Sequence, residues 1–139
     1  MSLPFTKEIT YTSSALCNVV CHPDGYLRLD WKNARATSTE VRETYQQVAA
    51  ALKRYGLRKI LSIHDHRQPI PLDVQKWMTD EWIPSTVLAT GWAYCAVVES
   101  HQPLTRLAVK AIISVSSQQL TFHYSSAVEE GIAWLRSHN

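Results

Sequence analysis

From Tyr26 to the C-terminus every strand-like run is followed by one helix-like run, and this alternation restricts the available folds more than any other feature. The clearest helix is "ATSTEVRETYQQVAAALKRYG": Thr37 and Glu40 form a capping box, and Val41, Tyr45, Val48, Leu52 and Tyr55 recur at helical spacing. Gly56 follows where a left-handed C-cap belongs. Arg42, Glu43, Gln46, Gln47 and Lys53 fall on the outer, solvated face. "LRKILSIH" is then a near-continuous apolar run, the pattern of a strand buried on both faces. "LDVQKWMTDEWI" places Val74, Trp77, Met78 and Trp82 on one helical stripe that Pro84 is expected to end or kink. "GWAYCAVVES" is a second buried strand, and Pro103 opens a helix striped by Leu104, Leu107, Ala108, Ala111, Ile112 and Val115. "QLTFHYS" alternates as a strand. In "SAVEEGIAWLRSHN", Ser126 and Glu129 read as a second capping box, with Val128, Ile132 and Leu135 facing inward.

Three shorter β-like runs precede this series. "KEITYTS" alternates weakly, "ALCNVVCH" is apolar, and "YLRLDWK" sets Leu27, Leu29 and Trp31 against Arg28 and Asp30. Pro23 and Gly25 in "HPDGY" supply turn chemistry for a hairpin, with His22 at its end. The order is therefore βββαβαβαβα. Single helices between strands demand crossovers and a parallel sheet, while the first hairpin adds antiparallel strands at one side. No linker or repeat divides the chain, so residues 1–139 read as one α/β domain.

Composition narrows the partners. At 139 residues the chain is long enough to bury a core without disulfides. A net charge of +2, scattered along the sequence, does not point to nucleic acid. Cys17, Cys21 and Cys95 are odd in number and lack CxxC spacing, so they read as free thiols, with Cys17 and Cys21 on one strand face as core filler. No basic and apolar leader opens the sequence, and no apolar stretch approaches the ~20 residues of a membrane span; the expected location is the cytosol. Four glycines without GxGxxG or a Walker loop leave nothing to cradle a nucleotide, and no cofactor is expected.

The element order resembles the SpoIIAA-like group of the STAS (sulphate transporter and anti-sigma antagonist) fold, in particular small stand-alone bacterial members. The residues that carry the resemblance run from Tyr26 to Leu135: "YLRLDWK" and the long helix, a strand ending "HDHR", "VQKWMTDEWIP", "WAYCAVV" and "AVEEGIAWL", with Asp65, Arg67, Trp77, Trp82 and Pro84 as markers. The resemblance implies an interaction domain without catalytic residues. Anti-sigma antagonists carry an Asp-Ser-Ser-Gly stretch whose serine is phosphorylated at a helix start. Here that helix begins "IPLDV", with no hydroxyl at the site and Asp73 at the positive end of the dipole. A phosphorylation switch would have to use Ser100, Ser125 or Ser126, and Ser126 is more simply an N-cap. A distantly similar architecture, that of CRAL-TRIO proteins, holds lipids.

The candidate site is "HDHR", at the carboxyl end of a parallel strand, where open α/β sheets hold their ligands. Glu99 to His101 leave a neighbouring strand and His123 lies near the end of the last, so three histidine-bearing segments are expected to converge on one edge of the sheet. The candidate ligand or partner residues are Asp65, His66, Arg67, Trp82 and His101. The structural reading has Asp65 accepting N–H bonds in its own loop and Arg67 pairing with Asp65, Asp80 or Glu81. Trp77 is expected in the core, with Trp82 displaced by about 140° and reaching the rim. Three readings of function follow. The first is a non-enzymatic binding domain for a protein partner, a second copy or a small apolar ligand. The second is a metal-dependent hydrolase on His64, His66 and His101, although no HExxH-type signature supports a metal. The third is the phosphorylation switch.

Overall fold

The computed structural model describes residues 5–139. Six strands form one sheet whose spatial order follows the chain: β1 (Ile9–Ser13), β2 (Cys17–His22), β3 (Tyr26–Trp31), β4 (Lys59–Ile63), β5 (Tyr94–Val98) and β6 (Thr121–Ser125). The first two pairings are antiparallel and the last three parallel. The hairpin between β2 and β3 closes through Gly25 N–H to His22 O, with Gly25 at φ 92°.

Because neighbours in the sheet are also consecutive in the chain, crossovers of one hand must stack on one face. Helices α1 (Ser38–Tyr55), α2 (Leu72–Trp77), α3 (Ile83–Thr90) and α4 (Pro103–Ser116) share a core with Leu27, Leu29, Ile60, Cys95 and Val97. The terminal helix α5 (Val128–Arg136) covers the other face, over Leu61, Ala96 and Val98. Gly131 lets it approach closely, since a Cβ there would stand 3.0 Å from Leu61 Cδ1. Beside α5 this face is wet, with Arg28 bridging Glu8 and Asp30.

The α1 ends match the sequence: Thr37 and Glu40 exchange both capping-box bonds, and Gly56 sits at φ 62°. Elsewhere tertiary context alters local expectation. Pro84 does not end its helix. The backbone stays right-handed helical from α2 through a π-turn (Met78–Trp82) into α3, ending at the left-handed Gly91. Within the π-turn Ile83 N–H reaches Met78 O, five residues back. Such widening relieves the clash between a proline ring and the carbonyl four residues earlier. It also brings residues five apart toward one face. Trp82 is therefore buried, packed on Tyr45 at 4.7 Å and Trp92 at 5.5 Å between ring centroids, while Trp77 is only half-buried. The expected assignment of these two tryptophans is reversed. Each such aromatic pair adds roughly 0.5–1.5 kcal/mol beyond its buried area.

Two further expectations are corrected. Helix α4 turns Ala108 and Ile112 inward with Thr105 and Val109, and leaves Leu104, Leu107, Ala111 and Val115 as an exposed row. The continuous stripe was too wide for one helix to bury against one layer. The N-cap of α5 is Ala127, with no side-chain bond, so Ser126 lies one position too early to cap and is exposed.

Candidate functional site

Strands β3 and β4 are parallel neighbours, so the segments leaving their carboxyl ends lie side by side. The order β3-β4-β5-β6 never reverses, and no crevice of the strand-reversal kind can open. A cleft forms instead between the two exit segments. It holds about 350 Å³ and is lined by Leu16, Trp31, Lys32, Ala34, Arg35, Ala36 and Val41 on one side and Arg67 to Pro71 on the other. A hydrogen bond from Gln68 Nε2 to Asn33 Oδ1 stitches the segments together.

Arg67 forms the inner wall of this cleft. Its main chain is fixed three ways: its N–H bonds His64 O at 2.8 Å, and its carbonyl accepts from Ser100 Oγ at 3.1 Å and Thr105 Oγ1 at 3.0 Å. The bend is thus braced by backbone and hydroxyl groups. The Asp65 carboxylate takes no hydrogen bond among the described residues; its carbonyl accepts from His101 N–H at 3.0 Å. Nor does Arg67 pair with Asp65, Asp80 or Glu81, since the expected ion pair gives way to aromatic stacking. The guanidinium lies 3.6 Å from the Trp31 ring centroid and 5.5 Å from that of Tyr45. Arg67 is only 4 % exposed, so this cation–π contact is desolvated.

Behind it runs a buried chain of polar groups. Trp31 Nε1 donates to Ser62 Oγ at 3.1 Å, and Ser62 Oγ lies 2.7 Å from His64 Nε2, which Arg67 Nη1 also approaches at 3.3 Å. An indole N–H and a guanidinium only donate. Ser62 Oγ therefore accepts from Trp31 and gives its own proton to His64, whose Nε2 is the acceptor for both Ser62 and Arg67. The imidazole is neutral with its proton on Nδ1, and that N–H has no partner among the described residues. Burial first, and Arg67 second, hold His64 well below its ordinary value of 6.5. A second small cavity of about 50 Å³ lies inward of this chain, bordered by Ser62, His64, Arg67 and Trp82. Trp82 Nε1 is likewise buried without a partner.

The remaining candidates lie apart from the cleft. His66 and His101 are exposed and face each other with ring centroids 5.6 Å apart. His123 sits in mid-β6 on the opposite face, stacked on Trp134 at 5.3 Å, so the histidine segments do not converge as expected. Among the described residues no group of three His, Cys, Asp or Glu side chains is placed to hold a metal. Burial pushes the thiols up, Cys17 and Cys95 to about 12 and Cys21 to about 11, so all three keep their protons.

The cleft thus unites one sequence candidate, Arg67, with residues that sequence reasoning passed over: Trp31, Lys32, Arg35 and Gln68. A signal for them existed. Once β3 and β4 are read as consecutive parallel strands, whatever follows Trp31 must lie beside whatever follows His64. No family model, curated protein or solved structure matches this chain.

Proposed function

We propose that the protein is a non-enzymatic binding domain of the SpoIIAA-like, STAS type, and that the cleft between the exits of β3 and β4 seats a small ligand. The observation that carries this reading is Arg67, a buried cation held rigidly against Trp31 on the wall of an open cleft. A volume of about 350 Å³ falls within the usual range for small-molecule sites, and Leu16, Val41 and Ile70 offer an apolar lining. His64 and Ser62 are occupied in orienting each other and Arg67, which suits a fixed recognition site rather than proton transfer. The parallel run β3 to β6, with its crossovers on one face, supports the family reading.

The test is amide and indole NMR of the full chain against a chemically mixed fragment library. Hits that move Trp31 and Gln68 saturably are expected. A library that shifts only surface signals elsewhere refutes the cleft as the site. The exposed row on α4, with Leu104 at 66 % and Leu107 at 67 %, favours a second reading, contact with a protein partner or a second copy. Light scattering of the wild type beside Leu107→Lys decides whether copies associate there: a dimer that the variant dissolves supports self-association, and a monomer excludes it.

A further inference from the structure

A guanidinium is a permanent cation, and taking it out of water is unfavourable unless an anion accompanies it. Arg67 has no such companion. None of the ion pairs among the described residues includes it. The groups packed around it are an indole, a phenol, an imidazole and a thiol, and each is uncharged. Burial pushes the Tyr45 phenol up and the Cys17 thiol to about 12 even with Arg67 nearby. His64 offers a neutral lone pair, not a counter-charge. Folding alone would be served as well by an apolar side chain of the same length.

The cleft repeats this imbalance. The whole chain carries 14 basic and 12 acidic residues, yet the charged residues that line the cleft are Lys32, Arg35 and Arg67, all basic. Lys32 Nζ is anchored to Ser14 O at 2.6 Å, which fixes its charge at the rim. Asp65, next but one to Arg67 in sequence, is not among the lining residues. The charges of Arg67 and Lys32 are therefore held in place before any ligand arrives, and no carboxylate lines the cleft beside them, which reduces the reorganisation that binding requires. Trp31 covers one face of the Arg67 guanidinium, so an incoming oxyanion must meet it edge-on, the geometry of paired N–H to oxygen bonds.

Granted the binding function read above, we propose that the cleft takes its ligand by an oxyanion. The ligand is a small molecule with a carboxylate or phosphomonoester group, held by Arg67 with Lys32 and Arg35 at the mouth, and with an apolar body against Leu16, Val41 and Ile70. The oxyanion supplies the counter-charge that the chain withholds. With these apolar walls, an inorganic anion alone is expected to bind more weakly than one carrying an apolar body.

The test titrates the full-length protein with benzoate, phenyl phosphate, their neutral counterparts benzamide and benzyl alcohol, and inorganic phosphate, following Trp31 and Gln68 by NMR. At least one of the two aromatic anions is expected to bind at least about tenfold more tightly than its neutral counterpart, and more weakly as salt is raised. Which anion binds better assigns carboxylate or phosphate. Arg67→Met is expected to weaken that anion about 30-fold or more, the loss of one charge-assisted pair of bonds. Should that variant fail to fold, the surface double variant Lys32→Gln with Arg35→Gln is expected to weaken it several-fold. Neutral compounds that bind the cleft as tightly as the anions overturn the oxyanion inference and leave the binding function standing. Silence from every compound at Trp31 and Gln68 also overturns the oxyanion inference, and the mixed fragment library decides the binding function separately. Inorganic phosphate binding as tightly as phenyl phosphate overturns the apolar-bodied ligand class, and unchanged anion affinity in either variant overturns the role of the basic residues.

Discussion

Replacing Arg67 by methionine should make the protein more stable. The substitution keeps an unbranched stem against Trp31 and removes the charge. The folded state loses a desolvated cation–π contact at 3.6 Å, worth about 2 kcal/mol, and the approach of Nη1 to His64 at 3.3 Å, worth about 1 kcal/mol. Against this it no longer bears the burial of an uncompensated cation, which costs several kcal/mol, here taken as about 4–5, with no discount for solvent at 4 % exposure. His64 keeps Ser62 as a donor to Nε2, so no acceptor is orphaned. The balance is a gain of about 1–2 kcal/mol. With a urea slope of about 1.5 kcal/mol per molar for a chain of this size, the unfolding midpoint should rise by roughly 1 M. Equilibrium urea unfolding, followed by tryptophan fluorescence and by circular dichroism, measures it. A midpoint lowered by more than about 0.5 M would refute the reasoning, because Arg67 would then be a strut on which folding depends. Stability gained together with ligand affinity lost is the trade expected of a residue kept for function.

Three other outcomes follow from the packing and electrostatics. Gly131→Ala gains about 1 kcal/mol of helix propensity, but its Cβ meets Leu61 Cδ1 at 3.0 Å and Ala96 Cβ at 3.4 Å, so calorimetry should show net destabilisation of about 1 kcal/mol. A more stable alanine variant would mean that α5 shifts freely. Thr37→Ala removes the capping box of α1 and should lower stability by about 1 kcal/mol in urea unfolding; an unchanged midpoint would make the cap redundant. His64 is neutral in the folded protein and depressed below 6.5, whereas the unfolded chain protonates near that value. Below pH 6.5 the unfolded state therefore binds a proton that the folded state refuses, and stability falls with pH until the folded-state value is reached. His64→Gln should make that decline shallower by up to about 1.4 kcal/mol per pH unit, as read from urea midpoints between pH 7 and 5. Parallel declines in both proteins would count against the assignment.

The sequence by itself determined what rests on local periodicity and local bonds. The α1 boundaries were legible because Thr37, Glu40 and Gly56 act within one turn of the residues they cap. The inward face of β3 was legible because strand alternation has period 2, and parallel pairing followed from strands joined by single helices. Only the tertiary structure decided where two elements must be known at once. The π-turn ahead of Pro84 moved Trp82 into the core, an effect invisible to a fixed 100° per residue. The α4 stripe divided because one helix facing one layer buries one side, and the neighbours choose which. Arg67 was visible as a charge beside Asp65, but its real partners, Trp31 and Tyr45, lie 36 and 22 residues away and reach it only when β3 and α1 close over β4. Sequence proximity suggests charge pairing, whereas the burial of Arg67 and its lack of an ion pair among the described residues are properties of the assembled fold.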